Sequence, residues 1–446
     1  MKTVRVKNRC GIQFTGAPEA RVETPSPPQY VAALPAQIPL IKTRLLATTG
    51  EAVQIGTPLF EDKTDPAIKF LSPGGGTIHA VHYGQRRTIR EIVIELDSEE
   101  SHVAFDPIGE AEVRTMDRDQ LIDTLMARCV WPLLRDLPYR AIADRNTDPA
   151  AIWVPLDSAD FFHPAPRLYL KDHGKRFAFG IQVLRRLAGT VHVCENTGRP
   201  VSDPAVKAHI THRVTGDYPA NDPGVVQYHT KQSAGENRAW YIRGQDVLLL
   251  AEALTTGRYP TNRLVAVSGG PEKNNRHVNT RIGAPLKSLV HDIDTPQNYR
   301  WIAGGLFCGY TGSAETFLGF YETALTLIPE ARHPELFGFM RPGLQKPTCT
   351  RTFLSALRKK PLPTDAGMHG EQRACVNCGN CRLVCPVDIM PQFTYKCIYA
   401  EEMEEALAHG LLDCVECGLC SYVCPSKIEL TQTFQRTKHS YYRERI

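Results

Sequence analysis

Eight of the chain's 14 cysteines fall into two matching runs near the C-terminus. The first is Cys375-x2-Cys378-x2-Cys381-x3-Cys385-Pro386, and the second is Cys414-x2-Cys417-x2-Cys420-x3-Cys424-Pro425. Thiolate is the soft ligand that iron–sulfur chemistry requires. Three thiolates on one tight loop reach three corners of a cube of iron and sulfide, and the fourth points away to the other cube. The spacing therefore assigns Cys375, Cys378, Cys381 and Cys424 to a first [4Fe–4S] cluster. Cys414, Cys417, Cys420 and Cys385 go to a second. Gly379 and Gly418 let the loop backbone approach a cluster, while Pro386 and Pro425 lack an N–H and redirect the chain. Zinc is the plainer alternative, but it needs only four ligands, usually two facing pairs. Two complete runs, each closed by proline, exceed that need. Two cubes that exchange ligands are near neighbours, which suits moving electrons singly through a protein.

Other features carry less. Without an export signal the cysteines are expected to be free thiols. Cys10, Cys129, Cys194, Cys308, Cys349 and Cys397 read as small buried residues. His209-x2-His212 reads as a satisfied or surface pair. Six basic residues and no acid between 341 and 360 read as a solvated linker or a docking segment. No Gly-x4-Gly-Lys loop is present, and no Gly-x-Gly-x2-Gly follows a strand.

The elements that must position the cysteines come from 446 residues, enough for about three domains. Hydrophobic residues at 42% and charged residues at 22% exclude a disordered or fibrous chain. A net charge of +4 argues against a nucleic-acid protein driven by bulk charge. The most apolar stretch, 301–328, has its longest uncharged piece at 301–314, shorter than the roughly 20 residues of a membrane helix. A water-soluble cytoplasmic chain is expected, held at a membrane only through partners.

Residues 1–100 read as all-β, with short apolar runs between Gly and Pro turns. Their pattern is similar to the half-barrels that carry lipoyl groups. The stretch around Lys63 lacks the carrier motif, so a plain scaffold is expected. Helical spacing over 117–129, 175–187 and 245–254, with a strand at 189–194, indicates an α/β sheet. Residues 260–330 read as a small strand-loop-strand unit. Residues 391–409 read as one or two helices ending at Gly410, with Glu401, Glu402, Glu404 and Glu405 on the solvated face.

With these residues in hand, the chain resembles the A subunits of the sodium-translocating NADH:quinone reductase, with the C subunits of the Rnf electron-transport complex as a sister family. The likeness is carried by Gly11-Ile12-x-Phe14-x-Gly16-Ala17-Pro18-Glu19, Pro58-Leu59-Phe60, Lys69-Phe70-x-Ser72-Pro73, Val191-His192-Val193-Cys194, Val267-Ser268-Gly269-Gly270-Pro271, Arg281-Ile282-Gly283-Ala284 and Thr350-Arg351-Thr352-Phe353. Two departures stand out. Ordinary A subunits have largely lost the cluster cysteines, whereas all eight are present here, in the Rnf manner. Rnf C subunits, like the flavin subunit of complex I, place a Gly-rich loop for FMN and NADH where this chain reads Cys129-Val130-Trp131-Pro132-Leu133-Leu134-Arg135.

The resemblance implies an α+β multidomain chain. Its parts would be a barrel-sandwich hybrid (1–100), a Rossmann-like α/β domain (101–258), a β-grasp-like domain of SLBB type (259–330), a basic linker (331–370) and a helical two-[4Fe–4S] ferredoxin-type domain (371–446). It implies a peripheral electron-transfer subunit of a membrane NADH:quinone oxidoreductase that pumps sodium, on the cytoplasmic face of the inner membrane. The isolated chain would not be catalytic. The implied cofactors are two [4Fe–4S] clusters without FMN, and a quinone-proximal role stays open. An Rnf-type C subunit that binds FMN and NADH and a non-redox zinc scaffold are the alternatives.

Overall fold

The computed structural model describes every residue except 8–10, 159, 292, 294–297, 332–341, 350–352, 359, 368–370 and 446, and the side chains at 234, 235, 272 and 445. Cys10, Arg341 and the Thr350-Arg351-Thr352 of the last signature thus lie outside the described residues.

Between residues 30 and 96 two small antiparallel sheets share a core. One runs in the order Tyr30–Ala33, Ile89–Leu96, Gly76–Tyr83, Ala52–Val53. The other runs Thr43–Leu45, Pro58–Asp62, Lys69–Leu71. Strand alternation turns Val31, Ile78, Ile92 and Ile94 inward to meet Leu59, Phe60 and Phe70. The Phe60 and Phe70 rings stack at 4.7 Å. Lys63 is exposed just past the strand Pro58–Asp62.

A six-stranded sheet follows, in the order Lys2–Arg5, Ile210–Thr215, Val191–Asn196, Ile152–Pro155, Ala239–Tyr241, Arg135–Leu137. All neighbours are parallel except the last pair. The helix Arg118–Ala127 begins at Asp117, whose carboxylate accepts the Gln120 N–H at 2.8 Å while the Gln120 side chain accepts the Asp117 N–H at 3.1 Å. Helices Gly174–Leu187 and Gly244–Thr256 pack on each other at Gly180. A Cβ there would fall 2.5 Å from Val247 Cγ1, so only glycine allows this approach.

The third sheet runs Tyr310–Gly312, Tyr299–Ala303, Ala324–Pro329, Asn262–Ser268, Arg276–Arg281, Val22–Glu23. It is tied to the α/β layer by a buried ion pair. Arg263 donates to Asp246 and, at 2.7 Å, to the Phe320 carbonyl, with side-chain exposures of 0% and 3% for the pair.

The N-terminal residues do not stay with the all-β unit expected over 1–100. Lys2–Arg5 is an edge strand of the α/β sheet, in register Lys2 opposite His212 and Val4 opposite Val214. Val22–Glu23 closes the third sheet beside His277 and Val278. The physical reason lies in the alternation: Val4 and Val6 are buried in the α/β core while Lys2, Arg5 and Lys7 stay in water.

The C-terminal part is a set of short helices, Asn380–Leu383, Pro391–Tyr399, Met403–Ala408 and Leu419–Tyr422, followed by the longer Leu430–Arg445. The expected 391–409 segment is thus two helices, divided at Glu401 with φ 61°. Glu401, Glu402, Glu404 and Glu405 are all exposed. Among the described residues no helix is long and apolar enough to cross a membrane.

Removing one partner of a buried ion pair strands the other charge, at about 3–5 kcal/mol. Arg263→Met is therefore expected to lower the midpoint of chemical denaturation, followed by tryptophan fluorescence, by that order of stability. An unchanged midpoint would contradict the role given to the pair.

Candidate metal centre

The two cysteine runs repeat in backbone as well as in sequence, displaced by 39 positions (Cys375 to Cys414). Asn377, Gly379 and Asp388 have φ of 53°, 76° and 51°; their equivalents Glu416, Gly418 and Lys427 have 59°, 80° and 53°. Positive φ at non-glycine residues is uncommon, so its recurrence at matching places marks a loop shape held twice. Gly379 and Gly418 each cap a four-residue helix carrying the third cysteine of the run. That cysteine's thiol meets a polar side chain eleven residues on: Cys381 donates to Gln392 Oε1 at 3.3 Å, and Cys420 pairs with Thr431 Oγ1 at 3.5 Å.

Cys381, Cys420 and Cys424 are buried with Leu411, Ile428 and Phe434, and Cys375 and Cys414 pack at the margin of this cluster. Cys385, Cys414 and Cys417 pack against Val387, Ile389, Val415 and the α/β core. Cys424, from the second run, thus shares an apolar cluster with Cys375 and Cys381 of the first, together with Cys414 and Cys420 of its own run. The structure puts Cys385, from the first, beside Cys414 and Cys417. Cys378 is exposed. Burial pushes the Cys381 thiol up to about 11 and that of Cys385 up to about 12, and raises Cys414, Cys417 and Cys420 as well. Backbone N–H groups oppose this: those of Val387 and Ile389 act on Cys385 and that of Leu419 on Cys417. Glu416 N–H donates to Cys414 Sγ at 3.4 Å. An all-thiol donor set with amides aimed at sulfur fits an iron–sulfur cluster. Among the described residues no three His, Cys, Asp or Glu side chains gather where a single metal ion could sit.

Sequence reasoning missed the residues behind the second loop, because they come from distant segments and follow no motif. Lys438 is fully buried and directs its ammonium to the carbonyls of Cys414 and Pro138, both at 2.9 Å, and to Glu416 Oε1 at 2.6 Å. Arg140 donates to the Val415 carbonyl at 3.0 Å and to both Asp222 oxygens at 2.8 Å. Cys308 Sγ donates to the Glu416 carbonyl at 3.2 Å, and the Tyr218 hydroxyl donates to that of Cys417.

Of the scattered cysteines, Cys129 and Cys194 are buried as expected and Cys397 is half-buried. Cys308 is exposed, because it lies at the edge of the cluster loop it bonds rather than in a core. Cys349 is in a disulfide, against the expectation of free thiols, which rested on compartment and not on geometry. His212 bonds Thr211 Oγ1 at 2.8 Å and packs on Trp153 and His192, so its ring partner is His192 and not His209.

At the stretch 129–135, Val130, Trp131, Leu133 and Leu134 are all buried. Trp131 Nε1 donates to the Ala143 carbonyl at 2.8 Å, and its ring meets Trp240 edge-on at 5.4 Å. A separate cavity of about 70 Å³ lies where parallel strands end, lined by Asp157, His163, Tyr241, Arg243, Arg140 and Asp222. Both Asp157 oxygens, His163 Nε2 and the Tyr241 hydroxyl have no hydrogen-bond partner among the described residues. Burial pushes the Asp157 carboxyl up to about 7 against the pull of Arg199, and pushes His163 down to about 3.

Comparison with known proteins follows the same divisions. A family model for the NqrA N-terminal barrel-sandwich hybrid domain matches residues 4–97, one for the NqrA second alpha/beta domain matches 116–259, and one for a 4Fe-4S dicluster domain matches 368–425. Over 413 residues the chain is 30% identical to the A subunit of the Na(+)-translocating NADH-quinone reductase of Pseudomonas aeruginosa, covering 92% of each. The chain belongs to the NqrA family. The Rhodopirellula baltica A subunit is 28% identical over 416 residues, covering 92% of this chain and 91% of that one. The Photorhabdus laumondii protein of the same name is 30% identical over 415 residues, covering 92% of each. The likeness to an NAD+-reducing [NiFe]-hydrogenase has a TM-score of 0.34 at 10% identity over 52% of each chain, too slight to argue from.

Asp157 gives a pH test. Its carboxyl is raised in the fold from 3.8 to about 7, so the neutral form is favoured by folding. That contribution is intact below about pH 3.8 and is lost as pH rises toward 7. Asp157→Asn should leave stability near the parent's at pH 4 and exceed it by up to about 4 kcal/mol at pH 8. A difference in denaturation midpoint that does not change with pH would count against this.

Proposed function

We propose that this NqrA-family chain is a peripheral electron-transfer subunit of a membrane Na+-translocating NADH:quinone oxidoreductase, relaying electrons through two [4Fe–4S] clusters toward quinone. The observation that carries the reading is the duplicated cysteine loop, alike at every positive-φ position, attached to the two NqrA domains. When bound, such clusters accept and release single electrons. Cys375, Cys378, Cys381 and Cys424 would hold one, and Cys414, Cys417, Cys420 and Cys385 the other. The packing of Cys385, from the first run, with Cys414 and Cys417 of the second supports the exchange.

In this reading the chain comprises a barrel-sandwich unit to about residue 100, a Rossmann-like domain to 258, a β-grasp-like domain to 330, a basic linker to 370 and the cluster domain. The Rossmann-like domain would serve as a mount without FMN. The buried packing of Trp131 and its neighbours, where the flavin-binding relatives carry a glycine loop, supports that role. Sodium movement and membrane anchoring would belong to partner subunits, with this chain on the cytoplasmic face.

The full chain purified without air should carry about eight irons and show two cluster signals by low-temperature EPR after dithionite reduction. Cys385→Ser should perturb only the second cluster, and Cys424→Ser only the first. A parent chain with zinc and no brown colour overturns the reading. Perturbation of the opposite cluster by either serine variant overturns the ligand exchange.

A further inference from the structure

The two loops are alike in sequence and backbone but differ in what stands behind them. Four successive carbonyls of the second loop are each capped: Cys414 by Lys438, Val415 by Arg140, Glu416 by Cys308 and Cys417 by Tyr218. The four donors come from four separate parts of the chain. With carbonyls held to the rear, the amides of the same stretch are free to face sulfur, as Glu416 N–H does toward Cys414. Two of the donors are cations. Lys438 has 0% side-chain exposure and Arg140 18%. Each has a carboxylate partner, Glu416 and Asp222, but in both pairs the positive end touches the loop backbone.

Among the described residues the first loop has no such backing: no side chain donates to the carbonyls of Cys375, Val376, Asn377 or Cys378 in the manner of the second loop. Val376 is 68% exposed and Cys378 is exposed. The position equivalent to Lys438, displaced by the same 39 residues, is Tyr399, which is 82% exposed.

We infer that Lys438 and Arg140 are positioning residues that make the second cluster the higher-potential member of the pair, so that an electron entering at the exposed first loop settles on the second. This rests on the iron–sulfur reading above. Reduction adds one negative charge to a cluster, and a buried cation at the rear of its loop favours the reduced form. The cations nearest the first cluster's ligands, Lys427 beside Cys424 and Arg373 on the Pro425 carbonyl at 3.3 Å, are half-buried and exposed, so water screens them more than it does the fully buried Lys438. With both clusters bound, passing one electron from the first to the second would leave every bond and proton of this chain unchanged.

Anaerobic redox titration of the full chain, followed by EPR, tests this. The parent should show two one-electron steps. Cys378→Ser alters the spectrum of the first cluster and so marks its step, expected to be the lower. Lys438→Met should shift the upper step downward, changing the oxidised-to-reduced ratio at fixed potential about tenfold, or 59 mV for one electron. Glu416→Gln, which frees the same cation of its counter-ion, should shift that step upward. Lys438→Arg should restore it. A role in folding alone would not give opposite signs for the two neutralised partners. If Lys438→Met does not fold, the upward shift in Glu416→Gln and the near-parent value in Lys438→Arg decide. Shifts of the same sign, a shift confined to the lower step, or no shift, in protein that keeps about eight irons, overturn the proposal. Absence of iron from the parent overturns the underlying reading instead.

Discussion

A loop that turns its amides toward sulfur must find partners for its carbonyls on the other side, because a buried carbonyl without a donor is costly. In this protein three of the four partners are supplied by other domains and the fourth by the last helix of the tail. Arg140 follows the edge strand Arg135–Leu137 of the α/β sheet, Tyr218 follows the strand Ile210–Thr215, Cys308 lies between two strands of the third sheet, and Lys438 sits on the last helix. The loop geometry, the docking of the tail and the orientation of the two sheets are therefore one problem with one solution. Apolar contacts reinforce it. Phe161, Tyr218, Phe307 and Tyr422 form a chain of rings, with Phe161 and Tyr218 stacked at 4.8 Å, over Leu419 and Val423. His229 Nε2 donates to the Pro386 carbonyl at 2.8 Å, and Lys231 pairs with Asp413 at 2.8 Å, extending the contact to the first run's end.

The α/β domain is best understood in that setting. Its sheet is parallel but for one edge strand, and the stretch 129–135 is packed solid with Trp131 against Trp240. What remains at the strand ends is a small polar cavity, too small for a nucleotide, whose wall includes the same Arg140–Asp222 pair that reaches the cluster loop. One ion pair thus belongs both to the sheet's open end and to the backing of the second run.

Features set by local chemistry were legible in the sequence, and those set by long-range contact were not. Cysteine spacing, the loop glycines and the closing prolines specify a loop within a dozen residues, and the structure repeats that loop twice. The apolar spacing over 117–129 sets a helix, found as Arg118–Ala127 with its first turn closed by Asp117 and Gln120. By contrast Lys438, Arg140 and Tyr218 are ordinary residues in their own neighbourhoods. Arg140 and Tyr218 matter only when segments about 200 to 275 positions apart meet, and Lys438 only when the last helix folds back on a loop 24 positions before it. The alternation over 2–7 was visible too, but alternation says that a strand has one wet face and not which sheet it joins.

That last strand has a consequence for dissection of the molecule. Lys2–Arg5 covers the outer side of Ile210–Thr215, so the α/β layer is not contiguous in the chain. A fragment that starts after the barrel would leave a bare row of peptide groups along 210–215, open to pairing with another copy. Closing the sheet in the intact chain instead means joining ends about two hundred residues apart, which places the sealing of that margin late in folding.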